Sequence, residues 1–108
     1  MVQATAVVSV ESFAHDLPSR FLRCRELGHV WRPHTVERDP SGGGFFRRLR
    51  CPECRTVREQ VLDTMGHVIR NGYDYPDGYL AGNRVERGHH SRDVYRLEAI
   101  VRYLDKNN

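Results

Sequence analysis

Three cysteines and one histidine constrain this chain more tightly than its hydrophobic pattern does. Cys24-x4-His29 is followed, after a spacer of twenty-one residues, by Cys51-x2-Cys54. These are four soft or borderline donors in two closely spaced pairs, the arrangement that lets each half form a compact knuckle around a tetrahedral Zn²⁺. All three cysteines of the chain fall inside the pattern. Their odd number rules out a full disulfide framework and suits metal binding in a reducing compartment. The spacing therefore predicts one structural Zn²⁺ held by Cys24, His29, Cys51 and Cys54. His34 is the reserve ligand, although Pro33 before it makes its approach less easy. The competing reading is three buried cysteines and a surface histidine. It must explain why Cys51-Pro52-Glu53-Cys54 lies between charged residues and not in an apolar run.

A chain of 108 residues with 39% apolar content builds only a modest core, and domains of this size are often supported by a metal. The expectation is a single zinc-binding domain over residues 1–108. Within it, 1–10 is loose or an edge strand, 24–54 is the metal-binding core and 91–106 is a helix. Residues 1–10 lack the positive region of a signal peptide, and no stretch is apolar enough to span a bilayer. A cytoplasmic protein without membrane partners is expected.

The net charge of +3 hides an asymmetry. Between Arg20 and Arg58 there are ten arginines and four acids, whereas residues 59–108 hold seven bases and eight acids. Basic character is thus concentrated around the proposed metal site. Arginine forks suit bidentate contact with phosphate, but an arginine bias also follows from a GC-rich genome and decides nothing by itself.

In chain order, Glu11 to Leu27 is helical in pattern and interrupted by Pro18, which is harmless in a first turn. Phe21, Cys24 and Leu27 recur on one face, and Gly28 supplies the positive φ that ends such a helix. The turn swings His29 back towards Cys24, and Trp31 covers the site. Val30–Glu37 and Phe45–Arg50 read as strands joined by a Pro/Gly-rich loop. Phe45, Arg47 and Leu49 alternate with Phe46, Arg48 and Arg50. Thr56–Leu62 and His67–Tyr73 form a second hairpin across Asp63-Thr64-Met65-Gly66, and the stretch from Leu80 to His90 reads as a loop. The fold class is α+β: small zinc-ribbon-like antiparallel hairpins with an N-terminal and a C-terminal helix.

The C-terminal helix, Arg92 to Lys106, is expected to be capped by Ser91. Val94, Leu97, Ile100, Val101 and Leu104 cluster on one side. Arg92, Tyr95, Arg96, Ala99, Arg102, Tyr103 and Lys106 lie opposite, with no acid among them. That face either meets nucleic-acid phosphates or is an ordinary solvated face whose tyrosines pack on neighbours.

Cys24-x3-Gly28-His29-x-Trp31 followed by Cys51-x2-Cys54 resembles a pattern of short zinc-ribbon-like proteins of bacteriophages and prophages. The resemblance covers about a third of the chain and implies a metal site, not an activity. The sequence departs from it in its long Gly-rich spacer, in Arg55 where glycine would follow the second knuckle, and in the added C-terminal helix.

Three functions follow. The first is nucleic-acid binding or transcription regulation, through Arg47, Arg48, Arg50, Arg55 and Arg58 on the ribbon and Arg92 and Arg96 on the helix. Phe46, Tyr73, Tyr75 and Tyr79 would stack on unpaired bases. The second is an adaptor that binds a host protein such as RNA polymerase. The third is a metal-dependent nuclease using His67, His89 or His90. A closed four-ligand shell and the lack of an H-E-x-x-H pattern or a nucleophile elbow argue against an enzyme.

Overall fold

Pro18 lies between two short helices in the N-terminal helical segment. The computed structural model of the chain describes residues 8–81 and 92–107. Ser91, His89, His90 and most of the expected N-terminal edge strand lie outside the described residues. The fold is α+β, with three helices and one four-stranded antiparallel sheet among the described residues. It divides into two compact units: residues 1–28 with 77–108, and residues 29–76.

The first unit is helical. Helix α1 (Val10–Asp16) is capped by Ser9, whose hydroxyl accepts the Ser12 N–H at 3.1 Å and so satisfies one of the orphan donors of the first turn. Helix α2 (Ser19–Leu27) starts at Pro18, whose carbonyl accepts from the amides of Phe21 and Leu22, both at 3.0 Å. Gly28 ends α2 with φ 91°, its N–H donating to the Cys24 carbonyl at 2.8 Å. A side-chain-bearing residue is strained at such a φ. Phe13, Ala14, Leu17, Phe21, Leu22 and Cys24 are buried. Leu27, expected on the Phe21–Cys24 face, is exposed, and Leu22 is buried in its place.

Helix α3 (Arg92–Asn107) packs against α1 and α2. The residues it buries or half-buries there include Tyr95, Glu98, Ala99 and Arg102 and come mostly from the face its sequence marks as basic, while Arg92, Arg96, Tyr103 and Lys106 of that face stay exposed. Tyr95 is 2% exposed. Arg102 donates to the Ala14 and His15 carbonyls at 3.0 and 2.9 Å, to the Ser19 hydroxyl at 3.2 Å and to Glu98 at 3.0 Å. The stripe Leu97, Ile100, Val101 and Leu104 is exposed, Leu97 by 63%. The physical reason is the C-terminus of α1. The Ala14 carbonyl there accepts the Leu17 N–H at 3.2 Å and keeps a second lone pair, and the negative end of a helix attracts a cation, which Arg102 supplies and the apolar stripe of α3 does not.

The same unit holds Arg25 among aromatic rings. Its guanidinium carbon lies 4.7 Å from the Tyr79 ring centroid and 5.5 Å from those of Phe13 and Tyr95, and it also donates to the Tyr79 carbonyl. Cation–π attraction is strongest where water is displaced, as it is here. Tyr79, expected as a base-stacking side chain, is buried edge-on against Phe21 with centroids 5.4 Å apart.

The second unit is a meander of β1 (Arg32–Arg38), β2 (Phe45–Arg50), β3 (Val57–Leu62) and β4 (Val68–Asp74), paired in that order. The sequence suggests two separate hairpins. In the structure β2 also pairs with β3 from Phe45↔Leu62 to Arg50↔Val57. Cys51–Thr56 is thus the turn that joins the two hairpins into one sheet, closed by Cys51 N–H to Thr56 O at 3.0 Å and Arg55 N–H to Cys51 O at 2.8 Å. The central strands bury Leu49, Gln60 and Leu62. β1 is exposed throughout and carries Pro33 next to a bulge, which suits an edge strand because proline cannot donate to a ladder.

Candidate metal centre and arginine surfaces

The first knuckle is built by a helix end. α2 places Cys24 in its last turn, and the Gly28 turn carries the chain to His29, two residues beyond the helix end. The second knuckle is the β2–β3 turn. The Sγ atoms of Cys24, Cys51 and Cys54 and a ring nitrogen of His29 all lie within 4.8 Å of one another. The three cysteines are buried and His29 is partly so. They lie close enough together to hold a metal ion. Nδ1 of His29 is 3.3 Å from the Cys54 sulfur. Donors bonded to zinc at ~2.3 Å (S) and ~2.0 Å (N) stand roughly 3.5 Å apart across a tetrahedral edge, so this pair already has the spacing a bound ion would impose. His34, the reserve ligand, is not part of the group.

Thr56 is the residue that sequence reasoning missed at this site. It is fully buried, and its hydroxyl lies 3.0 Å from the Cys54 sulfur. A hydroxyl donated to a ligating thiolate orients it and lowers its charge density. Its only signature in the sequence is a hydroxyl two residues beyond the last cysteine. Trp31 lies beside His29 with ring centroids 4.8 Å apart.

The proposed nucleic-acid arginines are dispersed. Cross-strand partners share a sheet face, and neighbours along a strand do not. Arg48 pairs with Glu59, Arg50 with Val57 and Phe46 with Val61, so these residues share one face. Arg47, opposite Gln60, and Arg58, opposite Leu49, lie on the other. Arg47 donates to Gln60 Oε1 at 3.0 and 2.6 Å, Gln60 donates to Asn71 Oδ1 at 3.1 Å, and Arg58 donates to the same oxygen at 3.0 Å. That network spans three strands and occupies both guanidinium groups. Arg48 is ion-paired with Glu59 at 3.2 Å. Arg55 is exposed in the knuckle. On α3, Arg96 meets Asp93 at 3.0 Å and Glu26 at 4.0 Å, while Arg92 is exposed.

The aromatic side chains, in contrast, converge. Trp31 and Tyr73 have centroids 6.1 Å apart, and Tyr73 stacks on Tyr75 at 5.9 Å with planes 14° apart. The Arg58 guanidinium sits 5.9 Å from the Trp31 ring and 5.6 Å from the Tyr73 ring. Tyr73 is 48% exposed. Phe46, also exposed, lies on the opposite sheet face from Arg58. His67, a nuclease candidate, lies 3.1 Å from Asp63 inside the β3–β4 turn. His67 and Asp63 serve there as turn residues, with the His67 amide donating to Asp63 at 2.8 Å.

No helix among the described residues is long and apolar enough to cross a membrane. Comparison with protein-family models, with curated proteins and with solved structures finds no match.

Proposed function

We propose that the chain is a zinc-stapled module that binds single-stranded nucleic acid through its sheet unit. The observation that carries this reading is the row Trp31–Tyr73–Tyr75 with Arg58 over its first two rings. Exposed aromatic faces next to guanidinium groups accept unpaired bases of any sequence. A Cys₃His donor set suits Zn²⁺. With all four positions filled by protein, the ion's role is structural and its binding free energy is folding free energy. The reaction-bearing constellations of an enzyme have no counterpart in this reading.

The test uses Trp31, the chain's single tryptophan. Titration of the zinc-loaded protein with oligo-dT at low salt quenches Trp31 fluorescence, and Tyr73→Ala weakens binding about tenfold or more, since a stacked base is worth about 1–3 kcal/mol. Parent protein whose emission and mobility ignore the oligonucleotide refutes the reading. Zinc is tested by elemental analysis, with one ion per chain expected and none after Cys51→Ser.

A second reading, an adaptor docking a partner protein, draws on the exposed stripe Leu97, Ile100, Val101 and Leu104. Large exposed apolar patches mark interaction sites. A partner that survives nuclease treatment and is lost on Leu97→Glu with Leu104→Glu supports it.

A further inference from the structure

Arg32, Pro33, His34, Arg50, Pro52 and Arg55 line a cleft of about 310 Å³ beside the second knuckle. Three of these lining residues are arginines and one is a histidine, and none is acidic. Most other arginines of the sheet are engaged: Arg47 with Gln60, Arg48 with Glu59, Arg58 with Asn71, and Arg38 over the Phe45 ring at 5.7 Å. The side chains of Arg32, Arg50 and Arg55 have no hydrogen-bond or ion-pair partner among the described residues.

Two features show that this arrangement works against the fold. Arg32 and Arg50 are direct cross-strand partners. Like charges in that position repel and destabilise a sheet, whereas Arg48, two residues before Arg50 on β2, is paired with Glu59 on β3. Arg55, moreover, is the one non-glycine residue with a positive φ (68°) among the described residues. Left-handed backbone is unfavourable for any residue with a Cβ. A turn of this kind, closing a hairpin with a left-handed residue, ordinarily takes glycine there. Strain of this sort collects at functional positions. An arginine held where glycine would be relaxed, together with two further arginines whose side chains are unpaired, gives one concavity three arginines among its lining residues. Three thiolates and a zinc dication would add a net charge of about −1 nearby, less than the three positive charges of the cleft.

We propose that this cleft binds a phosphate group, with Arg32, Arg50 and Arg55 as its donors, and that the phosphate is one of a nucleic-acid backbone. Guanidinium forks match phosphate oxygens bidentately and remain charged at every physiological pH. The preference for phosphate stands on the cleft alone; its assignment to a backbone rests on the nucleic-acid reading above.

The experiment uses the full-length, zinc-loaded protein and two probes, fluorescein-labelled oligo-dT and inorganic phosphate. Arg32→Ala with Arg50→Ala lowers oligo-dT affinity about tenfold or more, since hydrogen bonds to charged groups are worth at least that factor. It also flattens the log–log salt dependence by about 0.7 for the one phosphate released from a single strand. Arg55→Gly separates binding from folding: it lowers affinity while leaving the melting temperature unchanged or higher, because the left-handed strain is relieved. Parent-like affinity and salt slope in these variants overturn the cleft while the nucleic-acid reading stands. If the parent does not bind oligo-dT, that reading falls, and inorganic phosphate decides. Shifts of the Arg32, Arg50 and Arg55 Nε–Hε resonances on phosphate addition then support a site for free phosphate. Resonances that stay put overturn the proposal.

Discussion

Arg102 gives the sharpest test of how the helical unit is held together. Its guanidinium, with the side chain 28% exposed, spans Glu98 on its own helix and the Ala14 and His15 carbonyls in the last turn of α1. A hydrogen bond to a charged group contributes about 1.5–3 kcal/mol when water is excluded, and a cation at a helix C-terminus adds about 0.3–1 kcal/mol. His15 is itself exposed, so water replaces part of what Arg102→Ala removes. The expected net loss is therefore about 2 kcal/mol. At an m-value of about 2 kcal/mol/M this moves the urea midpoint down by about 1 M. Far-ultraviolet ellipticity is the assay, because all three helices belong to this unit. Arg102→Lys keeps the charge but loses the fork, so it falls between the parent and Arg102→Ala. The salt dependence of oligonucleotide binding stays as in the parent. A midpoint unmoved by Arg102→Ala refutes the claim that the polar face of α3 is its packing face.

Three further outcomes are expected. Tyr95→Phe keeps the ring beneath Arg25 and removes a buried hydroxyl with no partner among the described residues; it stabilises the helical unit by about 1 kcal/mol, and a lower denaturation midpoint would contradict this. Gly44→Ala destabilises the sheet by about 3 kcal/mol or more, because at φ 131° its Cβ would fall 2.0 Å from the Leu62 carbonyl oxygen; hydrogen exchange of the β2 and β3 amides reads the effect, and unchanged protection would count against the register. Asp63 is held below the ordinary carboxylate range, chiefly by the His67 amide, with the His67 ring and the Met65 amide helping. A depressed carboxyl stabilises the turn above its unfolded pKa and loses that contribution as pH falls through the folded one, so protection of the His67 and Met65 amides declines on acidification in the parent and not in Asp63→Ala.

The Cys/His cluster and the strands were legible in the sequence for local reasons. Cys24-x4-His29 and Cys51-x2-Cys54 are held together by turns of a few residues, and Phe45–Arg50 follows the two-residue period that any strand imposes. That same alternation already separates Arg47 from Arg48 and Arg50, so a single basic surface was never available to them. Gly28 and Pro18 bound α2 because their φ preferences act within the residue itself. What lay beyond the sequence was decided by partners distant along the chain. The helical wheel of α3 offers two faces, and which one packs depends on the carbonyls at the end of α1, more than eighty residues away. Tyr79 became core and Tyr73 remained exposed because Arg25 and Phe21 meet the former while the latter lies on an edge strand. Arg32 and Arg50 became neighbours only through strand pairing. Spacing along a chain sets which donors a knuckle can bring together; the balance of desolvation and hydrogen bonding between separate elements fixes which charges remain free.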